Sequence, residues 1–196
     1  MKNKLKLTLG GIGGFIVIAI FSQLGGEIGK KAFTEFTKTE IDINKPWFRN
    51  ALYGFSFETP EKVKKLAVEK PLGYEDYLNI FETHMLEHGD LIVFFLYMDT
   101  NFEDYDTEVG LQGSIQNSVN SLEGSNLSLE YSKPEGQLND LIANGTFNWR
   151  DKEMLARGYI YWNGNGKVVV LATYIPNEQG NTDIIDKIFD SRRVAF

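Results

Sequence analysis

The chain has no cysteine among its 196 residues. That excludes disulfides, thiol catalysis and cysteine-ligated metals together, and it fits either side of a membrane. Histidine is nearly absent: His84 and His88 are the only two. Such an i, i+4 pair binds metal when it sits on a helix. Here the segment reads as strand and turn, without a third ligand, so both histidines are read as structural or exposed. There is no G-x-x-x-x-G-K or G-x-G-x-x-G phosphate loop and no G-x-S-x-G nucleophile elbow. No internal repeat is found, and nothing commits the chain to a reaction.

Basic charge is also scarce beyond the first segment. Residues 1–39 carry six Lys and two Glu, a net of +4; the rest carries 14 basic and 25 acidic residues, a net of −11. An acidic domain argues against nucleic-acid partners, whose phosphates it repels. It is likewise repelled by anionic lipid heads. Composition is otherwise that of a globular protein, 42% hydrophobic and 13% aromatic, long enough for one domain with its own core.

What is present is a run of 20 uncharged residues, Leu7 to Gly26. As a helix it reaches roughly 30 Å, one hydrocarbon core. Its ten Leu, Ile, Val and Phe residues favour insertion by about −3 to −6 kcal/mol, opposed by six glycines, Thr8, Ser22 and Gln23. The spacing of Gly10 and Gly14 is the small-xxx-small pattern that lets helices approach closely, so self-association through this helix is one expectation. Residues 1–26 are read as a signal-anchor, 27–46 as stalk and linker, and 47–196 as a soluble domain. A cleaved signal peptide lacks a good A-x-A site, and a buried or interfacial helix is the remaining alternative. Lysines flank both ends, and their balance tips slightly toward a single-pass protein with its domain outside the cytoplasm.

Along the domain, Ala51–Glu58 alternates with Tyr53, Phe55 and Phe57 on one face, a half-buried strand. Thr59-Pro60-Glu61 has the form of a helix start, with a helix from Glu61 to Val68. Tyr77–Met85 and Leu91–Met98 form a predicted hairpin, its second strand apolar on both faces and so central. Leu111, Ile115, Ser118, Val119 and Leu122 recur at helical spacing, with Asp106 or Thr107 as cap and Gly124 as stop. Asn126–Tyr131 alternates as a strand. Leu141–Trp149, Glu153–Trp162 and Lys167–Ile175 form a three-strand meander turning at Asn163–Gly166. Thr182 caps a last helix with Ile184, Ile185, Ile188 and Phe189 inward. The fold class is α+β, an antiparallel sheet flanked by helices. Trp47 and Phe48 either sit at a membrane interface or cap the core, and capping is preferred.

This layout resembles the PsbP/DcrB-like group of α/β/α sandwiches, found among photosystem II extrinsic subunits and bacterial envelope proteins. Phe55-x-Phe57-x-x-Pro60 is similar to the family's first strand and Thr-Pro turn. The Asn163–Ile175 hairpin resembles its late meander. Ile185–Ser191 resembles its closing helix, where an aromatic residue often follows the serine; here Arg192 does. The resemblance implies a non-enzymatic binding or assembly role with a protein partner, and carries over no ligand-binding residue.

One polar stretch suggests a cation. Asp99, Asn101 and Glu103 mimic the first three ligand positions of a calcium loop, but Asp104 stands where glycine belongs and Gly110 where a bidentate Glu belongs. The other reading is a solvated loop capping the next helix. Trp149, Tyr159, Tyr161, Trp162 and Tyr174 lie on the meander and are read as core and cross-strand pairs. No cofactor and no catalytic residue is expected. The leading function is a membrane-anchored, non-enzymatic binding or assembly module. The alternatives are a hydrolase or transferase using carboxylates of the acidic loop, and a protein that oligomerises through its glycine-rich helix.

Overall fold

The computed structural model describes residues 41–68, 70, 75–102, 105–134 and 140–195. The Leu7–Gly26 run, with Gly10 and Gly14, lies outside the described residues. Among the described residues no helix is long and apolar enough to cross a membrane.

Among the described residues, seven antiparallel strands form the central sheet, in spatial order β3-β4-β5-β9-β8-β7-β6. They are β3 Lys64–Leu66, β4 Leu78–His88, β5 Leu91–Thr100, β6 Ser125–Ser132, β7 Asp140–Trp149, β8 Lys152–Trp162 and β9 Lys167–Pro176. The two runs that are apolar on both faces, LIVFFLYM in β5 and VVVLATYI in β9, lie side by side and are buried throughout. A strand buried on both faces needs a cover on each, and the two covers differ.

The first face is covered by α1, Thr107–Ser121, lying across β7 and β8. Asp106 starts it: its Oδ1 accepts from the backbone N–H groups of Glu108 and Val109, both at 3.0 Å, satisfying two of the orphan donors of a helix start. Leu111, Ile115 and Val119 are fully buried against the sheet. The helix comes close because β8 carries Gly158 beneath it; a Cβ there would lie 2.6 Å from Ile115 Cδ1. Behind the helix the Ser118 and Tyr174 hydroxyls are hydrogen-bonded to each other, and Tyr174 packs edge-on against Phe147 and Phe94.

The helix ends where expected, for a different reason. The left-handed residue is Glu123, at φ 59, not Gly124. Gly124 N–H donates to Val119 O and Glu123 N–H to Asn120 O, the paired closure of a Schellman motif. Gly124 is needed for space, since a Cβ would meet Val119 Cγ1 at 2.7 Å and Phe147 Cδ2 at 2.8 Å.

The second face is covered by a small sheet and a second helix. The small sheet has the order β1-β2-β10, with β1 Phe48–Leu52, β2 Phe55–Thr59 and β10 Arg193–Val194. The predicted single strand Ala51–Glu58 is thus a hairpin corner, turning at Tyr53 (φ 50) and Gly54 (φ 76). Two successive residues with positive φ make the tight turn that suits strand twist. Tyr53 then leaves the Phe55/Phe57 face and stacks on Tyr97 with ring centres 4.1 Å apart. Phe55 and Phe57 stack on Phe95, and Phe55 also on Tyr159. Beside them lies α2, Asn181–Asp190, burying Ile184, Ile185, Ile188 and Phe189. Its N-cap is Gly180 rather than Thr182; Thr182 lies exposed in the first turn.

The helix expected over Glu61–Val68 does not form. The Thr59 hydroxyl donates to Glu61 O at 2.6 Å and accepts from Asn50 Nδ2 at 2.7 Å. Asn50 Oδ1 takes the Val63 N–H at 3.1 Å. The cap and the first free amide are both committed to β1, so the chain stays extended and pairs as β3 along the edge of β4. Trp47 and Phe48 divide: Trp47 packs against the second-face core, while Phe48 is 44% exposed. The Lys187 Nζ holds the leading segment, donating to Ile43 O and Lys45 O and lying 4.2 Å from the Trp47 ring centre.

Candidate functional site

Among the described residues, the small sheet and α2 leave part of the second face uncovered, a strip along β6, β7 and β8. Strand register defines it. Ser128, Thr146 and Leu155 form one row, Glu130, Asn144 and Arg157 the next, and Ser132, Ile142 and Tyr159 the third. Ser128, Glu130 and Ser132 are exposed, and Ile142, Asn144, Thr146, Leu155 and Arg157 are half-buried. A cavity of about 360 Å³ follows the first two rows up to Thr182 and Ile185 of α2. The strand at its edge, β6, is drawn in by Gly145, where a Cβ would lie 1.8 Å from Ser128 O.

The polar groups converge where this strip meets the end of α2. Arg157 lies between Asn144 and Asp186: its Nε donates to Asn144 Oδ1 at 2.6 Å, and its terminal nitrogen pairs with Asp186 Oδ1 at 2.5 Å. Next to it Arg192 lies over the Tyr159 ring, 4.4 Å from its centre, and 5.0 Å from the centre of Phe189. Guanidinium planes favour such aromatic faces. Below, the Tyr159 hydroxyl donates to Asp140 Oδ2 at 2.7 Å. Asp140 is only 4% exposed. Burial raises its pKa, with the Tyr159 hydrogen bond and the charge of Arg192 pulling the other way. Burial, then the Asp140 carboxylate, push the Tyr159 phenol well above its ordinary range. Arg192 is shifted down, first by burial, against the attraction of Tyr159, Asp140 and Asp190 and with repulsion from Arg157; a guanidinium stays charged regardless.

A larger cavity, about 580 Å³, opens at the N-terminal end of α2. Its floor is Ile41, Ile43, Leu91, Ile175 and Ile184, and Asp90, Glu178 and Asp183 stand on its rim. Asp99 lines neither cavity. The loop residues Asp99 and Asn101 are brought together, because the Asn79 side-chain amide donates to Asp99 Oδ1 at 3.1 Å and to Asn101 Oδ1 at 3.0 Å. Glu103 lies outside the described residues. Among the described residues no three His, Asp or Glu side chains converge as a metal-binding group. His84 is buried on β4, with Nε2 3.4 Å from Glu82 Oε2, and burial lowers its pKa. His88 Nδ1 lies 3.2 Å from Glu61 Oε1. Of the meander aromatics, Trp149, Tyr159 and Tyr174 are buried, while Tyr161 and Trp162 are half-buried.

Sequence reasoning missed the Arg157–Arg192 pair. One signal was available, the arginine that follows Ser191 in place of an aromatic residue. Strand register supplies the rest, since Arg157 alternates with Leu155 and Tyr159 on the face that α2 leaves partly open.

The sequence matches no family model and no curated protein sequence. Among solved structures the chain is similar to a single-residue variant of the protein Mog1, with TM-score 0.45 and 8% identity over 77% of this chain and 97% of that one. It is also similar to the Ran-binding protein Mog1p of Saccharomyces cerevisiae, with TM-score 0.44 and 8% identity over 76% of this chain and 96% of that one. LpqN of Mycobacterium tuberculosis, described as involved in cell envelope biogenesis, has TM-score 0.36 and 11% identity over 81% of this chain and 90% of that one.

Proposed function

We propose that this chain is a non-enzymatic binding or assembly module that receives a protein partner on the uncovered strip of β6, β7 and β8. The observation that carries the proposal is the strip itself. Ordered strands present Glu130, Asn144, Thr146 and Arg157 around a 360 Å³ groove, next to a sheet edge at β6. Rigid elements hold side chains in place for recognition better than loops do. We further propose that residues 7–26 hold the module at a membrane with the domain outside the cytoplasm, and that the chain is kin to the PsbP/DcrB-like proteins. Self-association through Gly10 and Gly14 is a separate part of this proposal: replacing both with Leu abolishes an oligomer if the helix mediates it, and leaves it intact if not.

Photocrosslinking tests the strip. A photoreactive residue at Glu130 or Thr146 of the full-length chain in its host cell should yield one discrete adduct. The same residue at Ala51, on the outer side of the small sheet, should yield none. Equal adducts from all three positions, or none from the strip, would remove the proposal.

A further inference from the structure

Arg192 has a property that its neighbours lack. Among the described residues its guanidinium makes no hydrogen bond and no ion pair, although it is only half exposed and is held over two rings. Asp140 and Asp190 attract it through space without pairing with it, and Asp140 Oδ2 accepts the Tyr159 hydroxyl. Arg157, 5.4 Å from the same Phe189 ring centre, is oriented by Asn144 through Nε and by Asp186 through Nη1. The result is a pair of guanidinium groups beside one aromatic ring, one of them fixed in position with an unused donor fork. Planar forks of this kind match a carboxylate through two parallel hydrogen bonds.

The surrounding charge narrows the ligand. The chain beyond residue 39, with net −11, repels polyanions such as nucleic acid or an anionic lipid surface at long range. One carboxylate in an otherwise neutral peptide meets little of that repulsion and gains the local attraction of two arginines. The strip leading to the site is an extended groove along paired strands, a shape suited to an extended peptide.

We propose that Arg192, supported by Arg157, binds a single carboxylate of a peptide segment lying along the β6–β8 strip. This rests on the reading of that strip as the binding surface. The carboxylate is either a chain terminus or an Asp or Glu side chain, the recognition chemistry being shared.

The test is an NMR titration of the full-length chain in detergent micelles, following the arginine Nε–H resonances. Four probes are used: acetyl-Ala-Ala-Phe with a free carboxylate, its carboxamide, the carboxamide of acetyl-Ala-Glu-Phe, and inorganic phosphate. We expect saturable shifts of the Arg192 and Arg157 resonances with at least one carboxylate peptide and none with the first carboxamide. A response to the free acid alone identifies a chain terminus, and a response to the Glu peptide identifies a side chain. Arg192→Lys keeps the charge and loses the fork, and should weaken binding about tenfold; Arg49→Lys, on the small sheet, should leave it unchanged. Should the Arg192 variant melt well below the parent, Arg157→Lys takes its place with the same expectation. Equal binding of the first carboxamide, tighter binding of phosphate, or full binding by the lysine variant would overturn the assignment. The Glu130 crosslink separates the two levels. If it persists in the unaltered chain while the titration fails, the strip binds a partner without this arginine chemistry. If it is absent, the reading of the strip fails as well.

Discussion

The two faces of the central sheet are covered by opposite strategies. The first face has one 15-residue helix brought into contact by Gly158 and Gly124, and its interior polar groups are hydroxyls such as Ser114, Ser118 and Tyr174. The second face has a short helix, a three-stranded sheet and an uncovered strip. Among the described residues, the buried side chains that titrate between acid and neutral pH, His84 and Asp140, both point to the second face. A sealed face stabilises the domain, whereas a partly covered face with fixed charges is free to meet something else.

The largest test of this contrast is a pair of isoleucines on the two faces. Ile115→Ala under α1 should cost about 2–5 kcal/mol, because the site is fully buried and fixed by close contact with Gly158. Ile142→Ala on the strip should cost less, about 1 kcal/mol, since part of its surface already meets water. Equal losses in urea melts would show that the strip is as sealed as the helix face.

A somewhat smaller effect is expected at the edge. Gly145→Ala should cost about 1–3 kcal/mol by overpacking, because the new Cβ runs into the Ser128 carbonyl. It should loosen β6 first, so amide exchange should rise at Leu129 and Glu130 before it rises at Val170. A uniform rise would mean that β6 does not act as a separate edge.

The pH dependence should separate the faces as well. Burial raises the Asp140 pKa, so the folded state holds its proton longer than the unfolded state does. Stability from this group is complete below the ordinary aspartate value, about 3.9, and is lost as pH rises through the raised one. Asp140→Asn should therefore be more stable than the parent near neutrality, with the gap closing toward pH 4. For His84 the sign reverses: its depressed pKa favours the folded state above about 6.5, and that contribution is lost as pH falls. A constant difference between the Asp140→Asn variant and the parent across the range would contradict the burial of that carboxyl.

The smallest effect lies on the sealed face. Glu123 holds a left-handed conformation that costs a non-glycine residue about 1 kcal/mol. Glu123→Gly should recover roughly that amount, partly offset by the entropy of the unfolded chain, as a small rise in Tm.

Much of this architecture was legible where periodicity was strong. The β4–β5 hairpin, α1, the β7–β8–β9 meander and the apolar face of α2 follow from alternation and helical spacing in those segments. The failures came where a contact distant in sequence, or a backbone conformation, overrode the local pattern. Thr59 carries a helix-start signature, but Asn50 from the neighbouring strand takes its hydroxyl and the following amide. Tyr53 fits the alternation of Phe55 and Phe57, yet turns the corner in a left-handed conformation and stacks on Tyr97. Glu123, rather than the expected glycine, takes the left-handed end of α1. The candidate site was hidden for a related reason: Arg157 and Arg192 are far apart in sequence, and only strand register and the exit from α2 bring both to Phe189.

The absence of native cysteine makes one measurement especially direct. Single cysteines at Thr146, on the strip, and at Ala143, facing α1, can be labelled with a maleimide in the otherwise thiol-free chain. In the purified protein we expect rapid modification at Thr146→Cys and protection at Ala143→Cys. In unfractionated host-cell extract, labelling at Thr146→Cys should slow markedly as the partner covers the strip. An unchanged rate at that position in extract would contradict the claim that the uncovered part of the second face is where this protein binds.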